Sequence, residues 1–465
     1  MKYQREIEAE IDVAGMLTFI SQSLDCETFA ALNPGRPSPL STRQSVDLVT
    51  TRGKNSRQKS PPLTMKIQGK SSVEIYGDEM DLREIIRKEN LDAQEEALYV
   101  CDLSDIVNKY YIWRECLPRV VPFYAVKCND NPFVLKLLAA LGTGFDCASK
   151  GEIKKILSMG VDAEKIIFAN PAKPNSHVLY AAAKGIATMT FDSDFELYKI
   201  AKTFPDANLV IRIRCDAEKA QCPLGQKFGC DAELEAPGLI SLAKELGLKV
   251  IGVSFHVGSG CEDFPVYERA ICAAKTLFKY AKTLGYDFNL LDLGGGFPGD
   301  KGTSLKEVAD IINKALDKYM PDSAIHIIAE PGRFFVSSAF TLICKIYSKR
   351  EIVQNDKLEK TMYFINDGVY GSFNCILYDH RLAAPTYITR ADNTLYNSSI
   401  WGPTCDALDQ ICETVKLPKL NIGDYLIFEN MGAYTLPIAS PFNGFPLPRV
   451  KFFMRASDET ANNIF

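Results

Sequence analysis

Eight short apolar runs, each followed by an amphipathic stretch, constrain the fold of this chain more than any other feature. Several of the amphipathic stretches close on glycine, as helix C-termini commonly do. Strands that alternate with helices predict a parallel sheet, and eight strands close a (β/α)8 barrel. An open, doubly wound sheet is the alternative. The runs lie at 123–127 (FYAVK), 143–149, 165–170, 187–192, 209–214, 250–257, 290–295 and 325–331 (IHIIAEP).

The helical rhythm ends after about residue 340, and four further runs predict a β-rich domain of sandwich or barrel-like form. These runs lie at 340–353, 361–368, 372–378 and 424–435. The segment 32–64 is rich in Pro, Ser, Arg and Gly, which is typical of disorder. The predicted domains are a disordered extension at 1–65, strands at 66–102 that join the β-domain, the barrel at 103–340 and the β-rich domain at 341–465.

Composition excludes several classes of protein. The net charge of −5 lacks the basic field of a nucleic-acid binder. The fourteen cysteines form no C-x-x-C pair, which disfavours a metal site or a disulfide framework. The sequence contains no apolar run of the roughly 20 residues that span a bilayer, and its acidic N-terminus does not resemble a secretory signal. We therefore expect a cytoplasmic enzyme or regulator without metal, membrane or nucleic acid.

Unusual polar residues stand where the predicted strands end. A lysine there needs a reason, because burying an unpaired ammonium is costly. Each residue alone is compatible with a structural role, but barrels carry their catalytic groups at the carboxyl ends of the strands. Their convergence on one rim predicts an active site. The residues are Lys127, Asp146, Arg212, His256, Glu330 and the glycines at 294–296.

The run GGGFPG at 294–299 matches the dinucleotide-binding pattern, but Pro298 and the glycines after it hold off the helix which that pattern needs. A backbone nest for one phosphate is the better interpretation. Together with Lys127, His256 and Glu330, such a nest suits pyridoxal phosphate. Lys127 must react as a neutral amine, and we expect burial near cations to lower its pKa.

The motifs PFYAVKCN, GFDCASKGEI, FHVGSGC, LDLGGGFPG, AEPGRFFV, NDGVYGSFNCILYDH, WGPTCDALD and FENMGAYT resemble those of the eukaryotic ornithine decarboxylases. The resemblance covers about residues 70–455, in order and at compatible spacing. It implies an alanine-racemase-like barrel with a β-domain, pyridoxal 5'-phosphate as cofactor, and decarboxylation of ornithine to putrescine by a homodimer with shared sites.

The resemblance also implies roles for individual residues. Lys127 links covalently to the cofactor, His256 stacks on its ring, Glu330 pairs with its ring nitrogen, and Cys405 of the second subunit handles protonation at Cα. The phosphate is held by Ser259, Gly294, Gly295, Gly296, Gly332, Arg333 and Tyr434. Asp146, Glu152 and Arg212 support the site. Substrate binding falls to Tyr378, Asp379 and, from the second subunit, Asp406. Lys227 and Asp409 match a pair that bridges subunits.

Other functions within the same family stay open from the sequence. One is a non-catalytic relative that binds antizyme, although such relatives lose cofactor- and substrate-binding residues that this chain retains. The segment 177–201 resembles the antizyme-binding region of the family. Another is a decarboxylase for lysine, arginine or diaminopimelate. Lysine is one methylene longer than ornithine, and one methylene changes discrimination by only about 1–3 kcal/mol.

Overall fold

The computed structural model of the chain describes residues 64–66, 72–77, 82–217, 219–222, 224–388 and 394–456. The extension predicted at 1–65 lies outside these residues, except that Thr64 and Met65 begin the first strand. The strands are β1 (Thr64–Lys66), β2 (Ser72–Tyr76), β3 (Leu98–Asp102), β4 (Val120–Ala125), β5 (Gly144–Cys147), β6 (Ile166–Phe168), β7 (Thr188–Phe191), β8 (Asn208–Ile213), β9 (Ala220–Cys222), β10 (Lys249–Phe255), β11 (Ser259–Cys261), β12 (Leu290–Asp292), β13 (His326–Ala329), β14 (Phe340–Gln354), β15 (Lys357–Ile365), β16 (Pro385–Tyr387), β17 (Tyr396–Trp401), β18 (Gln410–Leu417), β19 (Tyr425–Phe428) and β20 (Arg449–Arg455).

Helices α2, α3, α4 and α6 begin at a side-chain cap that the sequence provides. Asn131 precedes α3, and its side chain accepts from the Phe133 N–H, while Gly142 ends the helix at a φ of 90°. The helices are α1 (Leu82–Lys88), α2 (Leu103–Cys116), α3 (Pro132–Leu141), α4 (Lys150–Leu157), α5 (Asn175–Ala183), α6 (Asp194–Thr203), α7 (Ala236–Glu245), α8 (Pro265–Thr283), α9 (Lys306–Tyr319), α10 (Arg333–Val336) and α11 (Cys375–Tyr378).

Eight parallel strands close into a barrel in the order β4, β5, β6, β7, β8, β10, β12 and β13, and β13 pairs with β4. Each of the eight predicted runs overlaps one of these strands, so the predicted closed barrel is confirmed and the open sheet is excluded. Five residues from five of the barrel strands form an apolar cluster of their own, as the filled interior of such a barrel requires. They are Phe123, Ile167, Val210, Leu290 and Ile328.

The remaining long strands form one ten-stranded sheet, which confirms the β-rich domain. Strand β14 joins its two halves, because its first residues pair with β3 and β19 and its later residues pair with β15. Strand β20 lies between β2 and β3, parallel to both. Strands that precede the barrel in the chain and strands that follow it therefore join in this sheet.

One predicted strand is helical in the structure. Residues 372–378 (SFNCILY) form a short 3-10 turn at Ser372–Asn374 followed by α11. A short apolar run cannot be assigned to strand or helix by periodicity alone. Here the Asn374 amide donates to the carbonyls of Gly371 and Thr435, which fixes the turn. None of the described helices is long and apolar enough to cross a membrane.

Candidate active site

The polar residues predicted at the strand ends do lie together. Lys127 sits in a 3-10 turn, Val126–Cys128, directly after β4. It lines a cleft of about 620 Å³ with the predicted site residues Arg212, His256, Ser259, Glu330, Tyr378, Asp379 and Tyr434. A smaller adjoining cavity is lined by Lys127, His256, Ser259, Gly295, Gly296, Glu330, Gly332, Arg333 and Tyr434. The barrel rim therefore positions most of the predicted site.

The ammonium of Lys127 is paired with Asp146 of β5, whose side chain is fully buried. Burial by itself lowers the pKa of Lys127, but the negative charges of Asp146 and Glu330 outweigh burial and raise this pKa above its ordinary value. The expected lowering of this pKa by nearby cations is therefore wrong. The Asp146 carboxylate therefore stabilises the protonated form of the Lys127 amine.

Glu330 follows β13 and is 5% exposed. Its Oε1 is buried and has no hydrogen-bond partner among the described residues. Burial, together with the charges of Asp146 and Asp292, raises the pKa of Glu330 well above its ordinary value. The unpartnered Oε1 is therefore available to pair with a ring nitrogen placed in the cleft.

Asp292 is a site residue that the sequence reasoning missed. It ends β12, is fully buried and accepts from the Ser254 hydroxyl at 2.7 Å and from the Gly294 N–H at 2.9 Å. Burial raises its pKa to about 6, although those hydrogen bonds act in the opposite direction. An acid at a strand end, immediately before the glycine run, was the signal available in the sequence.

His256 presents a neutral imidazole to the cleft. Its Nδ1 accepts from the Gly258 N–H at 3.0 Å. Burial lowers its pKa well below the ordinary value, and the positive charges of Arg212 and Lys127 lower it further. A Cβ on Gly295 would lie 2.7 Å from the ring nitrogen Nε2, so the glycine permits this close approach.

Except for Gly294, the predicted phosphate residues line the smaller cavity. Gly294 and Gly296 have φ values of 61° and 111°, which only glycine adopts without strain. The Arg333 guanidinium donates to the Ser259 hydroxyl at 3.0 Å and lies 5.5 Å from the centre of the Tyr434 ring. Its Nε is buried without a partner among the described residues. The cavity thus combines a cation, a hydroxyl and a glycine turn.

Asp379 lies at the junction of the two cavities. Both its carboxylate oxygens accept from Arg333 Nη2, at 2.6 and 2.7 Å. Its backbone carbonyl accepts from the Gln221 side chain, and the Cys222 thiol lies 3.8 Å from its Oδ1. Sequence reasoning placed Arg333 and Asp379 on different ligands and did not foresee their contact.

Cys405 and Asp406 do not line the described cleft of this chain. They lie in the loop between β17 and β18, where Cys405 is exposed and its N–H donates to Asn443 Oδ1 at 3.1 Å. Asp406 accepts from the Tyr370 hydroxyl, and the Tyr370 ring stacks on Phe442 at 4.3 Å. The loop that carries Cys405 and Asp406 therefore lies away from the described cleft of its own chain.

The other predicted residues have defined local roles. Glu152 accepts from the Ala148 N–H at 2.6 Å, and burial raises its pKa. Lys227 lines the cleft. Asp409 is 1% exposed and accepts from the N–H groups of Val369 at 2.7 Å and Thr404 at 2.9 Å. An intersubunit pair between Lys227 and Asp409 stays a prediction, and it would require the buried Asp409 carboxylate to become accessible to a second chain.

These residues fit pyridoxal phosphate. The unpartnered Glu330 Oε1 suits the ring nitrogen, and the unpartnered Arg333 Nε together with the glycine turn suits the phosphate. Lys127 lines both cavities and supplies the amine that the aldehyde needs, and His256 provides a flat neutral wall. The donor set, the cavity and the orphaned buried atoms therefore agree with the cofactor that the sequence predicted.

Curated relatives match most of the chain. Ornithine decarboxylase 2 of Drosophila melanogaster is 48% identical over 390 residues, which are 83% of this chain and 99% of the relative. Ornithine decarboxylase of Mus musculus is 51% identical over 373 residues, 77% of this chain and 81% of the relative. Antizyme inhibitor 2 of Xenopus laevis is 47% identical over 385 residues, 80% of this chain and 84% of the relative.

Solved structures agree in fold. The arginine decarboxylase of Paramecium bursaria Chlorella virus, bound to agmatine, has a TM-score of 0.76 and 36% identity, and covers 80% of this chain and 99% of its own. The lysine/ornithine decarboxylase of Vibrio vulnificus, complexed with putrescine, has a TM-score of 0.72 and 31% identity, and covers 80% of this chain and 98% of its own.

A family model, "Pyridoxal-dependent decarboxylase, pyridoxal binding domain", matches residues 103–337. This range contains all eight barrel strands, together with Lys127, His256, Glu330 and the glycine turn. The chain belongs to the pyridoxal-dependent decarboxylase family, in the branch that holds the eukaryotic ornithine decarboxylases.

Proposed function

We propose that this protein decarboxylates L-ornithine to putrescine and carbon dioxide with pyridoxal phosphate as cofactor, the entry step of polyamine synthesis. The carrying observation is that Lys127 and Glu330 line the larger cleft and also the smaller cavity that Arg333 lines. The identity with ornithine decarboxylases over most of the chain supports this substrate.

The charged and neutral side chains of the cleft have different proposed tasks in the reaction. The bound cofactor supplies a sink for the electron pair that carbon dioxide leaves on Cα. Glu330 holds a proton at the ring nitrogen and so keeps that sink effective. Asp146 pairs with the Lys127 ammonium and can accept its proton, which leaves the neutral amine that acts as a nucleophile. His256 closes one face without adding charge.

Substrate selection rests on carboxylates. Asp379 lines the cleft, and Asp406 is carried on the outward loop of a second copy of the chain. Two carboxylates match the single distal ammonium of ornithine, and neither offers a partner to a distal carboxylate such as that of diaminopimelate. Cys405, beside Asp406, delivers a proton to Cα after decarboxylation.

A homodimer follows from this division, because Cys405 and Asp406 lie on an exposed loop away from their own chain's described cleft. A two-fold axis places the loop of each copy at the cleft of the other. Apolar side chains exposed around these loops suit such an interface, among them Leu408 at 71% and Tyr378 at 66% exposure.

Antizyme is a second proposed partner, supported by the resemblance of residues 177–201 and by a relative named antizyme inhibitor 2. Helices α5 and α6 expose Leu179, Phe195 and Tyr198, with Phe195 at 81%. A purely regulatory function is less well supported, because the cofactor-binding residues are all retained. Replacing Phe195 with Ser should weaken antizyme binding in a pull-down while leaving decarboxylation intact.

We also propose that the protein acts in the cytoplasm. Cys405 needs a free thiol for its proposed proton transfer, and the cytosol keeps thiols reduced. The thirteen cysteines of the described residues are all free, including the exposed Cys405.

The proposed function is tested by labelling and by product analysis. Borohydride reduction of the purified holoenzyme, followed by peptide mapping, should place the pyridoxyl group on Lys127. Release of carbon dioxide should be fastest with ornithine when ornithine, lysine, arginine and diaminopimelate are compared. A label on a different lysine would contradict the assigned site, and a faster rate with another amino acid would contradict the assigned substrate.

A further inference from the structure

The pair formed by Arg333 and Asp379 stands between two spaces with different proposed ligands. Arg333 belongs to the wall of the small cavity with Ser259 and the glycine turn. Asp379 belongs to the wall of the larger cleft that contains Lys127. The two side chains are 8% and 4% exposed, and Arg333 Nη2 donates to both oxygens of Asp379. A phosphate and a distal ammonium would therefore meet opposite ends of one buried ion pair.

The charges of this pair oppose the binding of an anion by Arg333 alone. Burial lowers the pKa of Arg333, but the charge of Asp379 outweighs it and raises the pKa, which shows how strongly the two groups interact. Arg333 Nη2 is already engaged by Asp379 and Ser259, while Nε has no partner among the described residues. Asp379 thus orients the guanidinium and also neutralises part of its charge.

We propose that Asp379 and Arg333 couple the two ends of the site, so that an alkylammonium bound at Asp379 strengthens phosphate binding at Arg333. The proposal rests on the proposed function for the ammonium contact and adds a regulatory property to it. The bound state is a chain of alternating charges: ammonium, carboxylate, guanidinium and phosphate. Without the ammonium, the carboxylate and the phosphate share one cation, and their mutual repulsion is uncompensated.

The coupling between the phosphate site and the ammonium site must be reciprocal. If the diamine tightens phosphate binding, the phosphate must tighten diamine binding by the same factor. Coupling between neighbouring sites is typically about 5-fold or more. The diamine product would then protect the loaded protein from losing its cofactor, and the protein without cofactor would bind diamine poorly.

The test uses a cofactor analogue that forms no covalent bond to an amine. Pyridoxine 5'-phosphate, which has an alcohol in place of the aldehyde, is titrated into cofactor-free protein in a calorimeter. Putrescine should lower its dissociation constant about 5-fold or more. The matched control ligand is 1,4-butanediol, which has the same length and no charge, and it should leave the dissociation constant unchanged.

A variant pair locates the coupling. Asp379→Asn keeps an oxygen for Arg333 but removes the negative charge, so pyridoxine 5'-phosphate should bind more tightly and putrescine should have no further effect. Asp300→Asn is the matched control, since Asp300 pairs with Arg381 at 3.1 Å outside the small cavity. The control should retain the full putrescine effect.

The outcomes separate this proposal from the proposed function. If putrescine leaves the wild-type dissociation constant unchanged, or if Asp379→Asn still responds to putrescine, the coupling is wrong even when ornithine is decarboxylated. If ornithine is not a substrate at all, the proposed function fails independently of the calorimetry. The wild-type titration needs no variant, so a folding defect in Asp379→Asn would not leave the coupling untested.

Discussion

Single residues of this site depend on close approaches that only particular side chains permit. Gly295 allows the His256 ring and the Glu330 carbonyl to approach, since a Cβ there would lie 2.7 Å from His256 Nε2 and 3.0 Å from the Glu330 oxygen. Gly295 therefore determines where the His256 ring lies in the cleft. An added methyl group must push the ring into the cofactor space.

Gly295→Ala should weaken binding of pyridoxal phosphate, because overpacking of this kind costs about 1–3 kcal/mol. Absorbance titration of cofactor-free protein measures the change. Gly238→Ala in helix α7 is the matched control, since a Cβ at Gly238 meets nothing within 4 Å. The control should bind cofactor normally, and equal losses in both variants would contradict the steric argument.

At this scale the sequence predicted identities better than contacts. Lys127, His256 and Glu330 were found because unusual residue types stand at strand ends. Asp292 was missed, and so was the Arg333–Asp379 pair, because a contact between residues 46 positions apart depends on how α10 packs against the end of α11. The pKa of Lys127 was expected in the wrong direction for the same reason: its neighbours Asp146 and Glu330 come from other strands.

Among the elements, the loop between β15 and α11 is held by a buried carboxylate. Asp367 accepts from the N–H groups of Gly368 at 2.8 Å and Ser372 at 3.0 Å, and its Oδ2 has no partner among the described residues. Burial raises the pKa of Asp367 to about 6. The folded protein thus holds a proton there that the unfolded chain releases near pH 4.

Asp367→Asn should change the pH dependence of stability. Because the folded state binds this proton more tightly, the free energy of unfolding of the wild type loses roughly 2–3 kcal/mol from this group as the pH rises from about 4 to about 6. The variant lacks that loss, so its advantage should grow over this window and then level off. Urea unfolding at several pH values measures it. Asp356→Asn, in the exposed turn after β14, is the control, and a pH-independent difference for Asp367→Asn would contradict the assignment.

Strands were predictable from the sequence where they alternate with helices, as in the barrel, and less predictable in the β-rich domain. The eight barrel strands were found because each is a short apolar run between helical patterns. The apolar run at 372–378 predicts a strand but is helical in the structure, since its conformation is set by side-chain hydrogen bonds from Asn374. Strands β17 and β18 lack a strict apolar alternation, and pairing between them stabilises both.

For the whole molecule, the arrangement of subunits is the property with the clearest test. Lys127→Ala and Cys405→Ala proteins, each nearly inactive, are mixed and allowed to exchange subunits. Random pairing makes about half of the dimers mixed, and a mixed dimer has one site with both lesions and one with neither. The mixture should regain about a quarter of wild-type activity. If mixing restores nothing while mass-tagged subunits show exchange, Cys405 serves its own chain.

The pairing of distant strands in the ten-stranded sheet could not be read from the sequence, because it depends on segments at opposite ends of the chain. It has a consequence for synthesis on the ribosome. Strand β3 lies between β14 and β20, and β20 is made about 350 residues after it. At the usual 5–20 residues per second, that delay is about 20 to 70 seconds. The barrel can close during this time, whereas one edge of β3 stays uncovered until β20 is made, so β20 completes a sheet that the first described segments began.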